Sequence, residues 1–119
     1  MKAMIFVYGT LKRGLPNHVL LAGQQFEGAA RTLPHYRLLD SGPYPCMVED
    51  RQRGVAVQGE IWTVDEETLT RLDELEDVPR LFARRQIDVA GISAPVFAYL
   101  YQGDVTGMKD CGDRWPQFP

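Results

Sequence analysis

The chain has 119 residues, 45% hydrophobic and 24% charged, with a formal net charge of −3. That is enough for one domain with a real core, so 1–119 is read as a single unit, and the negative balance leaves no electrostatic footprint for nucleic acid. The two cysteines, Cys46 and Cys111, lie far apart outside any C-x-x-C pattern, and no apolar run approaches membrane-spanning length, so a soluble, cytoplasmic protein with no membrane partner is expected.

Met4 to Tyr8 is apolar, β-branched and aromatic, which predicts a buried first strand. Gly9 follows at once, then Thr10 and Leu11, with further breakers at Gly14 and Pro16. A strand that stops at a glycine leaves amides without ladder partners and lets a ligand come close to the main chain. The corner is therefore either an anion or carbonyl site or an ordinary turn. Gly9 and Gly14 have the G-x-x-x-x-G spacing of a phosphate loop, but Leu15 and Pro16 stand where Lys and Ser/Thr are needed, which excludes that chemistry.

Beyond the loop, Asn17 is placed to cap a short helix through Ala22 that ends at Gly23. Short strands are predicted over 26–33, 36–39 and 46–48, with a strong turn at Ser41-Gly-Pro-Tyr-Pro45. The longest strand is expected over 55–64, where Gly59 marks a bulge or a close approach. Two more strands, 82–89 and 95–101, form a hairpin around Gly91. The tail Cys111–Pro119, rich in aromatics and prolines, reads as a pinned terminus. Six or seven short strands and one good helix predict an α+β fold, a small mixed β-barrel with short helices at its rim.

That one helix begins at Asp65, a capping residue, with Glu66 and Glu67 in its positive first turn, and Pro79 forces its end by about Val78. Leu69, Leu72 and Leu75 mark its buried face. At roughly 100° per residue from Leu69, Leu72 falls near 300° and Glu76 near 340°. Glu76 is thus the carboxylate aimed into the apolar arc, while Glu67, Glu74 and Asp77 point elsewhere and Asp73 lies at the margin. If the helix reaches Glu76, burial and the helix dipole both raise its pKa toward the range useful for acid–base work. If the last turn frays, Glu76 points to water or pairs with Arg80 or Arg84. Asp73 and Glu74 are read as solvated.

Other constellations are poor. His18 and His35 form no metal-ligand spacing, neither Ser41 nor Ser93 lies in G-x-S-x-G, and Cys111 reads as a structural thiol. The strand aromatics Phe82, Phe97, Tyr99 and Tyr101 read as core.

Val7-Tyr8-Gly9-Thr10-Leu11-Lys12-Arg13-Gly14, with Asn17 shortly after, resembles the signature of the gamma-glutamylcyclotransferase-like family, nearest its gamma-glutamylamine cyclotransferase branch and small bacterial members. Leu72-Asp-Glu-Leu-Glu76-Asp-Val-Pro79 followed by Leu81-Phe82-Ala83-Arg84 is similar to that family's second motif, and Cys111-Gly-Asp-Arg-Trp115 resembles its terminal segment more loosely. The resemblance implies a small β-barrel that binds the glutamyl half of its substrate through the backbone at Tyr8, Gly9, Thr10 and Leu11, with Glu76 as the catalytic acid–base. Phe82 stands where relatives often carry tyrosine, so only stacking or shape remains there. The implied reaction is cleavage of a γ-glutamyl amine or amide by its own α-amino group, releasing 5-oxoproline and a free amine with no cofactor or metal. The alternative is a non-catalytic module that binds a γ-glutamyl or other small carboxylate in the same cavity. Neither the leaving amine nor the oligomeric state is legible.

Overall fold

The computed structural model describes residues 1–116. Its strands are β1 (Lys2–Val7), β2 (Gln25–Arg31), β3 (Tyr36–Asp40), β4 (Pro45–Glu49), β5 (Gln58–Asp65), β6 (Phe82–Ile87), β7 (Val96–Tyr101) and β8 (Lys109–Asp110). A 3-10 helix, Pro16–Leu21, follows β1, and the helix α1 (Glu66–Leu75) joins β5 to β6. A five-stranded sheet has the order β2-β5-β1-β7-β6, and a three-stranded one the order β4-β3-β8. β1 lies antiparallel to β5 and parallel to β7, and β6 and β7 form the expected hairpin around Gly91.

The pleat of β1 explains the layering. Alternate side chains point to opposite faces, so Phe6, and Tyr8 just beyond the strand, join one core with Ile61, Ala98 and the small-sheet residues Leu38 and Met47. Ile5 and Val7 join the other, with Trp62, Val64, Tyr99 and the helix residues Leu69 and Leu72. The central strand is buried on both faces, which accounts for its continuous apolar run. Gly59 is a close approach, as expected: a β-carbon there would lie 2.4 Å from the Val7 carbonyl oxygen and 2.5 Å from the Phe6 ring. The bulge falls in β2 instead, between Phe26 and Gly28.

The α+β class holds, but the predicted barrel does not close. The edge strands meet at a single bridge, Thr32 opposite Val89, made by Leu33 N–H to Asp88 O at 3.0 Å and Ala90 N–H to Arg31 O at 2.9 Å. Pro34 has no N–H to extend that ladder and the Gly91 turn follows directly, so the edges separate. The small sheet covers one face as a separate layer. The long strand predicted from Val55 begins only at Gln58, and Val55 makes an isolated bridge to Tyr36. The tail is held where it is described: Gln58 N–H donates to Asp113 O at 2.7 Å, and Trp115 packs against the core. Residues 117–119 of the predicted terminal segment lie outside the described residues. No helix among the described residues is long and apolar enough to cross a membrane.

Candidate active site

A cavity of about 300 Å³ opens where the end of β1 meets the end of α1. One wall runs from Phe6 through Leu11, with Asn17 beside it; the opposite side carries Glu76, Leu81, Phe82 and Tyr99. Pro43, Tyr44 and Pro45 form a lip with Leu75. Every residue expected to form the site (Tyr8, Gly9, Thr10, Leu11, Glu76 and Phe82) lines this one space. Among the described lining residues Glu76 is the one carboxylate, and none is basic.

The loop after β1 is tied down from behind. Lys12 N–H donates to Gly9 O at 3.0 Å, and Asn17 donates twice to Thr10, from its amide to the carbonyl at 2.9 Å and from Nδ2 to Oγ1 at 2.8 Å. Asn17 is therefore not the expected helix cap: Leu15 holds that position and Pro16 opens the 3-10 helix, while the Asn17 side chain braces the loop. Arg13 anchors the other end, its amide and Nε reaching the carboxylate of buried Glu60 at 3.2 and 3.1 Å, which also accepts from Trp62 Nε1 at 3.1 Å. Its guanidinium lies over the Phe26 ring, 4.0 Å from the centroid. The amides of Gly9, Thr10 and Leu11 donate to no protein acceptor among the described residues. They are three donors on a braced loop beside a cavity.

Glu76 is the C-cap of α1, one residue beyond the helix proper, and its N–H still reaches Leu72 O at 3.0 Å. The helix ends in a Schellman closure. Asp77 adopts φ +51°, its N–H meets Glu74 O at 3.1 Å, and Val78 N–H meets Asp73 O at 3.1 Å. This fixes the last turn and settles the two sequence alternatives. The candidate cations are engaged elsewhere, Arg80 with Asp77 and Arg84 with Asp73. The Glu76 carboxylate has no hydrogen-bond or ion-pair partner among the described residues, and its oxygens open onto the cavity. Burial lifts its pKa to about 7.

Burial also raises the phenols of Tyr8, Tyr44 and Tyr99 and takes the Cys46 thiol up to about 11, and the Glu76 charge adds to all four rises. These groups stay neutral around a single ionisable carboxyl. The Tyr8 hydroxyl donates to the main-chain carbonyl of Tyr99, which holds the start of the loop against β7. Phe82 stacks edge-on to Tyr101 at 5.5 Å and tilts over Tyr44 at 6.0 Å in the cavity wall.

Three placements differ from the sequence reading. Leu75, assigned to the buried face, is 43% exposed at the cavity mouth, because the cavity removes the packing it would have found. Asp73, read as solvated, is half-buried between Arg84 and Tyr99. The 43–45 turn, read as a connector, forms the cavity lip, while Tyr99, read as core, lies in the second core and lines the cavity as well. An aromatic set between two prolines was the one sequence signal for the lip; nothing local marked Tyr99 or Asp73. No cluster of three His, Cys, Asp or Glu among the described residues could hold a metal ion.

The sequence profile described as gamma-glutamyl cyclotransferase, AIG2-like, matches residues 5–117. A Vibrio cholerae protein provisionally named gamma-glutamylcyclotransferase is 41% identical over 98% of both chains. The human gamma-glutamylaminecyclotransferase is 39% identical, covering 98% of this chain and 86% of its own length. The crystal structure of a mouse AIG2-like protein superposes with a TM-score of 0.84 at 32% identity, over 99% of this chain and 90% of that one. With the profile running through both the amide-lined loop and the half-buried Glu76, the chain belongs to the AIG2-like gamma-glutamyl cyclotransferase family.

Proposed function

We propose that this protein is a cyclotransferase that cleaves a γ-glutamyl amine or amide to 5-oxoproline and a free amine. The observation that carries the reading is Glu76: a carboxyl titrating near neutrality, without a partner among the described residues, in the same cavity as three amides that donate to no described acceptor. The reaction is intramolecular, so the protein need supply no nucleophile. It must fold the substrate so that its α-nitrogen reaches its own γ-carbonyl, which is a matter of positioning.

In this reading the amides of Gly9 to Leu11 hold the glutamyl half. With no basic side chain in the lining, main-chain donors are the groups that meet negative charge there, whether a carboxylate or the developing oxyanion. Ionised Glu76 takes a proton from the α-ammonium, freeing the lone pair to attack. The new C–N bond closes the ring. Glu76 returns that proton to the leaving nitrogen as the old C–N bond breaks, then takes the second proton from the ring nitrogen and passes it to the released amine, which departs as its ammonium, so one carboxyl serves as base and acid in turn. A group titrating near 7 gives up and regains a proton at similar cost. The apolar lip of Pro43, Tyr44 and Leu75 faces the amine half and excludes water from the ring closure.

A panel of γ-glutamyl amides, assayed for 5-oxoproline, tests the reading. Release from at least one of them is expected, with activity retained after treatment with chelators. Failure of the wild-type protein on the whole panel would remove the catalytic assignment.

A further inference from the structure

Glu76 presents a mechanical problem. Its carboxylate is held by no partner among the described residues, so its position is inherited from its backbone, and that backbone is the end of a helix, where structure frays first. Leu69 and Leu72 anchor the earlier turns in the core, but Leu75 is exposed and anchors nothing. What fixes the last turn therefore fixes the candidate acid–base group.

Three elements converge on Asp73, which sits one turn before Glu76 on a neighbouring line of the helix. Arg84 of β6 grips it in a fork, Nε to Oδ1 at 3.0 Å and Nη2 to Oδ2 at 3.1 Å. Tyr99 of β7 donates its hydroxyl to Oδ1 at 2.7 Å. The Asp73 carbonyl takes the Val78 N–H that closes the helix. Tyr99 in turn accepts the Tyr8 hydroxyl on its own carbonyl, so bonds run unbroken from the helix end, through β7, to the start of the amide loop. An ion pair as exposed as this one adds little net stability, but a bidentate pair fixes orientation.

We propose that Asp73, gripped by Arg84 and Tyr99, is the positioning residue that holds Glu76 in the cavity wall, in register with the amide loop. Asp73 touches no substrate; it acts through the helix backbone. The inference rests on the reading of Glu76 as the acid–base group, and its test separates the two. The groups that face Glu76 from the packed elements are Tyr8, Tyr44, Cys46 and Tyr99, all neutral near pH 7, so displacement into water is what would move its titration.

Arg84→Gln is the deciding variant, because electrostatics and positioning predict opposite signs. Loss of a cation alone would hold the Glu76 proton more tightly and raise its midpoint. Release of the helix end lets the carboxylate reach water and lowers it. The midpoint is read without substrate, from the carboxyl ¹³C titration assigned by the signal missing in Glu76→Gln. We expect a fall of about one pH unit or more in Arg84→Gln and a smaller fall in Arg84→Lys, which keeps the charge but not the fork. Tyr99→Phe removes only the hydroxyl; it should also lower the midpoint, and it decides the matter if Arg84→Gln does not fold. With a γ-glutamyl amide, kcat should drop about tenfold while KM stays within a few fold. An unmoved or raised midpoint overturns the positioning role even if the wild type is active. A lowered midpoint in a protein with no cyclotransferase activity keeps the positioning role and removes the reaction.

Discussion

Gly9 stands against Pro45: a β-carbon on Gly9 would lie 2.8 Å from the proline Cγ and 3.0 Å from its Cδ. The glycine at the head of the loop is thus required by the lip across from it, and not by a left-handed backbone. Loop and lip close on each other at this one contact. Gly9→Val should drive them apart, costing about 1–3 kcal/mol as an overpacked contact and most of the turnover. Thr10→Ala loses only the bond from Asn17 and should cost about 1 kcal/mol. Chemical denaturation beside a 5-oxoproline assay ranks the two, and equal losses would mean the Pro45 contact is soft.

Glu76→Gln keeps shape and removes the proton carrier. Turnover should fall roughly 10²-fold or more, the scale of a lost general acid–base, with substrate binding within a few fold. Glu74→Gln, on the exposed side of the same turn, is the control and should change little. Wild-type rates in both would leave Glu76 as a helix-end residue only.

The same carboxyl makes stability depend on pH. The folded protein keeps the Glu76 proton up to about pH 7, whereas the unfolded chain releases it near 4.5. The folded state is the better proton binder in that window, so the contribution of Glu76 to stability is full below it and is lost as pH rises through 7. Glu76→Gln should match wild type at pH 4 and exceed it at pH 8 by about 2–3 kcal/mol. Parallel stability curves for the two proteins would show that the carboxyl is not desolvated.

Asp77 carries a positive φ of +51° directly after Glu76. Asp tolerates this conformation better than most residues, and β-branched side chains tolerate it worst. Asp77→Gly should stay within about 0.5 kcal/mol of wild type, since the exposed pair with Arg80 that it loses is worth little. Asp77→Val should lose about 1–2 kcal/mol and lower kcat, because the helix closure that places Glu76 is strained. Thermal melts and turnover numbers read both effects.

Local chemistry was legible in the sequence and distant partnership was not. The Asp65 cap, which accepts from Thr68 N–H at 2.8 Å, and the face carrying Glu76 follow from spacing alone, because helix geometry is set within a few residues. The strands of the large sheet follow from apolar runs. The two-residue β8 has no pattern to read. Asp73 looked solvated because its partners, Arg84 and Tyr99, come from strands made later in the chain. Leu75 looked buried because a helical wheel cannot show that its neighbour is a cavity. Barrel closure failed at Pro34, a residue whose missing N–H matters only once Val89 is known to lie opposite Thr32.

The strand order sets a timetable for the site. β1 leaves the ribosome before the other seven described strands, yet it pairs with β5 on one side and with the much later β7 on the other. A nascent chain that has emerged only through Glu76 has the amide loop and that carboxyl but lacks β6 and β7, and with them Arg84, Phe82 and the Tyr99 carbonyl that receives the Tyr8 hydroxyl. The cavity has no far wall until Tyr101 is out. Long-range pairing of this kind is slow to form, so the cavity is complete only after β7 has joined β1.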